Sequence, residues 1–377
     1  MKVLGKAGKV GTAAILSAAV LALAACGSDS AAAPGGGSAP SSSDSTLTGT
    51  LSGAGASSQD SAMQAWIAGF TALHPGASVQ YSPDGSGAGR EALLAGGVQF
   101  AGTDAYLDEE EAAAAAQVCG PDGALHIPAY ISPIAVAFNL PGIRELNLDA
   151  GTIAKIFRAD ITAWNDPAIA AANPGVELPD TPISPVHRGD ESGTTENFTD
   201  YLAAAAPEVW TDDASGEWPA GIVNGENASG TGGVVSLVTA TEGAVTYADA
   251  SAAGELGTAS VLVGSEYVPL SSEAAAKAVE ASAPVSGAGR PDGDMAMTLD
   301  RDTAESGAYP VVLVSYHLYC TAYGDAETVD LVKAFGEYVV SEDGQAAAAA
   351  AAGNAPLSEA LRREAAAALE SISVLQQ

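Results

Sequence analysis

Apolar positions along this chain fall into two alternating rhythms. "LTGTLSGAG" (47–55) reads as a strand running into a Gly-rich turn. "SSQDSAMQAWIAGFTALHPG" (57–76) places Met63, Trp66, Ile67, Phe70 and Leu73 at helical spacing before a Pro-Gly stop. "ASVQYS" reads as the next strand, followed by the turn "PDGSGAG" and a short helix "REALLAG". "VQFAGTD" is again a strand and "DEEEAAAAAQ" a helix. "HIPAYISPIAVAFNL" (126–140) is a long, extended apolar stretch. Helices are expected near 149–157 and 166–173, then a strand "TPISPVH" (181–187). This alternation predicts α/β lobes with parallel sheets. In such sheets ligands bind in the crevice beyond the carboxyl ends of the strands.

The ends of those strands share a chemistry. "RGDESG" (188–193) is a strand-to-helix loop, and "SGTTENFTDYLAAAA" opens a helix with Ser192 or Thr194 near its N-cap. A helix N-terminus offers unpaired N–H groups and partial positive charge, which suit an anion. Gly193 permits close approach, Arg188 adds donors in a fixed fork, and Asp190 is expected to orient Arg188. Three earlier turns repeat the design. Ser57 and Ser58 stand at a helix start, Ser86 lies in a Gly-rich turn, and Asp104 closes a strand. Singly, each reads as an ordinary cap; converging on one crevice, they read as a site.

Outside this body the sequence changes character. Lys2, Lys6 and Lys9 precede the apolar run "AAILSAAVLALAA", which ends in "LAAC" at Cys26. That run is short for a membrane span and has the layout of a signal peptide. Small residues before a cysteine resemble the lipobox of bacterial lipoproteins, in which the residue corresponding to Cys26 carries lipid. Residues 27–46, rich in Gly, Ser, Pro and Ala, are expected to be a flexible linker. The chain would then be exported and held by lipid at the outer face of a membrane. Removing the leader makes the formal charge of −32 more negative still. A chain this acidic repels nucleic acid and anionic lipid. A mean hydropathy of +0.16 argues for a packed body, and about 330 residues suffice for two lobes. With Cys26 lipidated, Cys119 and Cys320 remain as a pair in an oxidising compartment, either bonded or as two buried thiols.

Taken together, "LSGAGASS", "PDGSGAGRE", "VQFAGTDAYL", "FRADITAWNDPAIAAANPG" and "HRGDESGTT" resemble the phosphate-binding protein of bacterial phosphate ABC importers, in its actinobacterial form. The likeness runs from about residue 47 to the C-terminal "EDGQ…NAPL". It implies a two-lobed α/β periplasmic-binding-protein fold of type II, with two crossover strands and the ligand in the interlobe cleft. Lobe I would comprise 47–134 and 308–377, and lobe II 135–307. The family's phosphate ligands fall on Ser57, Ser58, Ser86, Asp104, Arg188, Ser192, Gly193 and Thr194, with Asp190 supporting. Many relatives carry Thr-Phe-Pro where this chain has Ser57-Ser58-Gln59. The implied partner is a membrane permease, the implied state a monomer, and no cofactor or metal is involved. By the family's chain path Cys119 and Cys320 both belong to lobe I, so a bond between them is expected, worth roughly 4–5 kcal/mol in the chain-entropy model.

Asp104 then gains a meaning. A carboxylate only accepts hydrogen bonds. Phosphate keeps a proton to donate near neutral pH, and sulfate keeps none. Sulfate would face the carboxylate acceptor to acceptor, a buried mismatch of several kcal/mol. Rival readings are less well supplied. An exported hydrolase needs a base or metal ligands, but His74, His126, His187 and His317 are scattered without HxH or HExxH spacing. His187 is expected to pack at a strand end. The Ser-rich turns do not match a G-x-S-x-G elbow. A binder of another oxyanion, sulfate or molybdate, is the nearer alternative, and Asp104 argues against it. A purely structural surface protein shares the fold class at most.

Overall fold

The computed structural model describes residues 47–280, 282–285 and 290–376. The leader, Cys26 and the linker to residue 46 lie outside the described residues. Strands β1 (Gly49–Gly55), β2 (Ala77–Ser82) and β3 (Phe100–Thr103) pair in parallel, in the order β2-β1-β3. Helices α1 (Asp60–Leu73), α2 (Ser86–Leu94) and α3 (Glu109–Val118) follow them in turn. A fifteen-residue strand β4 (Ala124–Phe138) comes next, and every residue of it is buried. Its length, with burial on both faces, explains why its sequence is mostly apolar instead of alternating, with only His126 and Ser132 as clearly polar side chains.

A second group of strands contains β5 (Glu145–Leu148), β6 (Ser184–Arg188), β7 (Glu226–Ala228), β8 (Ala244–Asp249), β9 (Gly257–Val263) and β10 (Glu266–Val268). Within it β6 pairs in parallel with both β7 and β8. Helices α4 (Ala150–Phe157), α5 (Pro167–Ala172), α6 (Gly193–Ala205), α7 (Gly230–Ala240) and α8 (Ser272–Glu280) belong to this stretch of chain. A short hairpin, β11 (Ala283–Pro284) with β12 (Met297–Thr298), leads back. Strand β13 (Val312–Cys320) then returns between β3 and β4. After β13 come α9 (Ala326–Val340), α10 (Glu342–Ala352) and α11 (Glu359–Glu370).

The two groups are joined by β4 itself. Its first part, Ala124–Pro133, pairs with β13, and its second, Ile134–Phe138, pairs with β8. Both pairings are antiparallel, so the sheet is mixed and not parallel throughout. The reason is topological. β4 and β13 carry the chain out to the second group and back, so they run in opposite directions side by side. The periodicity of the sequence shows that a segment is extended but not which neighbour it meets.

Each group has its own aromatic centre. Phe100, His317, Phe335 and Trp66 pack together beneath β1–β3. Phe157, Phe198, Tyr247 and Trp218 pack beneath β6 and β8. Cys119 and Cys320 are joined by a disulfide on the β1–β3 side, 201 residues apart in sequence. One element starts earlier than its sequence suggests. Helix α2 begins at Ser86, inside the run read as a turn, because its Gly89 lies so close to β1 that a Cβ there would stand 2.5 Å from Gly55. Helix-on-strand packing overrides the low helix propensity of "SGAG".

Candidate functional site

Four helix N-termini meet where the two groups of strands face each other. From the β1–β3 side come the 3-10 turn Ser57–Gln59 that leads into α1, and the first turn of α2 at Ser86. From the β6–β8 side come α6, beginning at Gly193, and α7, beginning at Gly230. Each presents first-turn amides that no helix carbonyl can satisfy. Ser192 is the N-cap of α6, its Oγ accepting from the Thr195 amide at 3.2 Å. The fit is tight at Gly193. A Cβ at that position would stand 2.7 Å from both Ser86 Oγ and the Asp104 Cβ. Only glycine lets α6 approach the opposite side this closely.

Asp104, 4% exposed, is the centre of the arrangement. Ser58 donates to its Oδ1 at 2.7 Å, and Ser315 of β13 donates to the same oxygen. Thr194 of α6 donates to Oδ2 at 3.1 Å. Its own backbone is held too: the amide donates to Ser86 Oγ at 3.2 Å, and the carbonyl accepts from Asn197 Nδ2 at 2.7 Å. Burial pushes the Asp104 carboxyl up, while the hydroxyls of Ser315, Ser58 and Thr194 and the charge of Arg188 pull it down; the net direction is upward. A carboxylate offers about four lone-pair positions. The three hydroxyls occupy three of them and leave one, on Oδ2.

Arg188, 3% exposed, is fixed at the end of β6. Its Nε donates to Asp190 Oδ1 at 2.7 Å and its Nη2 donates to Asp190 Oδ2. That uses two of five guanidinium N–H donors and leaves three available to a ligand. Asp190 also accepts from the Gly230 amide at 3.0 Å, which ties the α7 terminus to the same carboxylate. Burial alone would raise the Asp190 carboxyl, but the hydrogen bonds and charge of Arg188 outweigh it and hold it below the usual range. Asp190 is therefore ionised, and it orients the arginine. The Arg188 amide donates to the Tyr247 hydroxyl at 3.2 Å, and that hydroxyl pairs with Thr195 Oγ1 at 2.8 Å.

All eight residues singled out from the sequence lie at this meeting place: Ser57, Ser58, Ser86 and Asp104 on one side, Arg188, Ser192, Gly193 and Thr194 on the other. Others stand with them that the sequence did not single out. Thr231 of α7 bridges to Ser57, its amide and Oγ1 each 3.0 Å from Ser57 Oγ. The run "ASGTGG" (228–233) that contains it has the same small-residue layout as the other three junctions and was legible in principle. Ser315 was not, because it is a single serine inside the mostly apolar run of β13. Behind it lies a buried relay. Gln59 Nε2 donates to Ser315 Oγ at 2.6 Å, and Gln59 Oε1 lies 3.0 Å from His317 Nε2. His317 Nδ1 lies 3.0 Å from the Tyr319 hydroxyl. Burial lowers the His317 pKa to about 3, so the ring is neutral. With Gln59 as donor to Ser315, the Ser315 proton is free to point at Asp104.

His187 packs at the end of β6. Its Nδ1 donates to the Arg188 carbonyl at 2.8 Å, and its ring stacks on Trp218 at 4.7 Å. Burial lowers its pKa, and among the described residues its one hydrogen-bond partner is that carbonyl, not a nucleophile. Among the described residues no three His, Cys, Asp or Glu side chains are grouped to hold a metal ion. The arrangement can surround a small, dehydrated oxyanion with fixed dipoles and one cation, while presenting it one acceptor.

Comparison with known proteins follows the same line. Residues 40–343 match the model of the PBP superfamily domain. Phosphate-binding protein PstS 3 of Mycobacterium leprae is 38% identical over 341 residues, covering 88% of this chain and 90% of its own. Phosphate-binding protein PstS 2 of Mycobacterium tuberculosis is 35% identical over 334 residues, covering 85% and 87%. Among solved structures, a high-affinity periplasmic phosphate-binding protein, PfluDING, bound with phosphate, superposes with a TM-score of 0.68 at 22% identity, over 85% of this chain and 93% of its own. A putative phosphate ABC transporter substrate-binding protein with bound phosphate, from Clostridium perfringens, gives 0.56 at 21% identity, over 81% and 98%. The architecture is thus that of periplasmic binding proteins. With a superfamily match spanning most of its length and mycobacterial relatives covered almost end to end, the chain belongs to the PBP superfamily and, within it, to the family of these phosphate-binding proteins.

Proposed function

We propose that the chain captures inorganic phosphate between its two groups of strands and delivers it to the permease of an ABC importer. The observation that carries this reading is the state of Asp104: buried, with three hydroxyl donors on it and one lone-pair position left on Oδ2. Phosphate fills that position with its own hydroxyl; sulfate has none to give. Ser57, Ser86 and Ser192 supply hydroxyl donors, and Ser58, Gly193 and Thr194 supply backbone amides, because the Ser58 and Thr194 hydroxyls already donate to Asp104. Arg188, oriented by Asp190, supplies the cation. The strongly acidic surface does not oppose this, because it is screened beyond roughly 8 Å at physiological salt while the donors touch the ligand.

The same reading assigns 47–134 and 308–377 to one lobe and 135–307 to the other, with the ligand bridging them and favouring a closed cleft. It treats the mature chain as a monomer anchored through lipid on Cys26 at the extracytoplasmic face of the cell membrane. The lipobox-like "LAAC" and the linker composition support that placement. Among the described residues no helix is long and apolar enough to cross a membrane. Binding without turnover fits the relatives, which are named as binding proteins.

Calorimetric titration of the purified mature chain tests the reading. Phosphate is expected to bind and sulfate to fail at the same concentration. Sulfate binding of equal strength overturns it. Small-angle scattering on the same samples is expected to show contraction with phosphate, and an unchanged radius of gyration with binding present refutes closure.

A further inference from the structure

Glu191 sits between Asp190 and the α6 cap, beside an anion site, where a second carboxylate should repel the ligand. Its surroundings give it a task. Arg90, on α2 across the cleft, donates from Nη2 to Glu191 Oε1 at 2.9 Å. Arg90 is already held on its own side. Its Nε donates to Glu111 Oε1 at 2.7 Å and its Nη1 to Thr103 Oγ1 at 3.2 Å. Glu111 is in turn locked by the capping box of α3, its Oε2 accepting from the Asp108 amide at 3.1 Å. The Arg90 side chain is 9% exposed and that of Glu191 30%.

The space around Glu191 is shaped to receive it. A Cβ on Gly87, in the first turn of α2, would stand 1.5 Å from Glu191 Oε2, and one on Gly216 would stand 2.2 Å from Oε1. So Glu191 passes between two glycines, one from each side of the cleft, and reaches an arginine fixed beforehand. Oε2 is buried with no hydrogen-bond partner among the described residues, but it lies at the positive end of α2.

We infer that Arg90 and Glu191 form a latch between the two groups of strands, which holds the cleft shut on bound phosphate and sets the rate of its release. The inference rests on the proposed function. The pair spans the cleft, so it exists only while the two sides are together. Because Arg90 is fixed by Glu111 and Thr103, forming the contact orders one side chain and not two, which makes the pair worth more than a surface ion pair between free ends. Neither Arg90 nor Glu191 is among the donors assigned to phosphate in the proposed function, so both are positioning residues. A contact made after encounter acts on dissociation far more than on association.

The experiment is stopped-flow release of phosphate from the full mature chain, wild type against Glu191→Ala and Glu191→Gln, at low and high salt. Glu191→Ala is expected to release phosphate about 10-fold faster with association within about 3-fold of wild type. Glu191→Gln keeps the shape but not the charge and is expected to fall between. Added salt should speed release from wild type and leave Glu191→Ala nearly unmoved, and a merely structural residue would not produce that difference. In a double-mutant cycle, Arg90→Gln should add little once Glu191 is gone. Phosphate bound by wild type but released by Glu191→Ala at the wild-type rate overturns the latch alone. Wild type that binds no phosphate overturns the proposed function and the latch with it.

Discussion

The two sides of the cleft are built from the same parts, a strand end feeding a helix N-terminus, yet they present opposite chemistry. On the β1–β3 side a buried carboxylate, Asp104, stands at the meeting place of the helix N-termini, ringed by hydroxyls. On the β6–β8 side the buried charge is a guanidinium, Arg188, backed by its own carboxylate. In the proposed function one side attracts any oxyanion and the other decides which is kept. Neither does both: a cation with helix dipoles binds sulfate as readily as phosphate, and a carboxylate alone repels each.

Substitutions can separate the two tasks. Arg188→Ala removes the attraction and should weaken phosphate binding on the order of 10²–10³-fold by calorimetry. The loss should be similar for any oxyanion that binds at all; a loss confined to phosphate would break the division. Asp104→Asn should change the ranking instead. The amide donates where the carboxylate accepts, so the ratio of phosphate to sulfate affinity should fall by about 10²-fold or more. Retained selectivity would place discrimination elsewhere.

Ser315→Ala sharpens the same point at smaller scale. It removes one of three donors to Asp104 and frees a lone pair on Oδ1. Phosphate affinity should fall by only about 3–10-fold, with selectivity nearly intact. Equal effects of Ser315→Ala and Asp104→Asn on selectivity would show that the hydroxyl ring, not the carboxylate, does the choosing.

The smallest effect concerns pH. Glu196, in the first turn of α6, has its pKa raised to about 7, first by burial, opposed by Arg90 and reinforced by Glu191, Glu111 and Asp200. A carboxyl raised above its unfolded value of 4.5 favours the folded state most when protonated. Its contribution is therefore fully present below about pH 4.5 and is lost as pH rises through about 7. Glu196→Gln, which cannot ionise, should melt above wild type at pH 8, with the gap closing toward pH 4.5. A gap that does not change with pH would mean that Glu196 is not the titrating group.

How much of this was legible beforehand depends on where a residue sits. Ser57, Ser86, Asp104 and Arg188 announce themselves because polar and small residues at a strand-to-helix junction interrupt an apolar rhythm. Ser315 makes no such announcement: one serine in "VVLVSYHLYC" does not alter the pattern of a buried strand, and only its pairing beside β3 brings it to Asp104. Gln59 and His317 are separated by 258 positions and meet solely through that pairing. The antiparallel course of β4 and β13 was hidden for the same reason, since local periodicity carries no information about partners. Arg90 and Glu191 were visible as charges, but their contact depends on how the two halves come together.

The path of β4 and β13 also has a consequence for how the molecule is made. Strands β5–β10 follow one another without interruption, whereas β3 lacks its β13 neighbour until Val312–Cys320 has appeared, well into the last quarter of the chain. A chain that emerges N-terminus first therefore offers an unfinished sheet for most of its synthesis, with the mostly apolar β4 unpaired along its first part. The middle of the molecule is free to fold early, and the outer part waits for β13, which brings the Cys320 partner of Cys119 with it. Such a chain needs its long apolar strand protected during biogenesis, and that demand is set by chain order and not by the binding site.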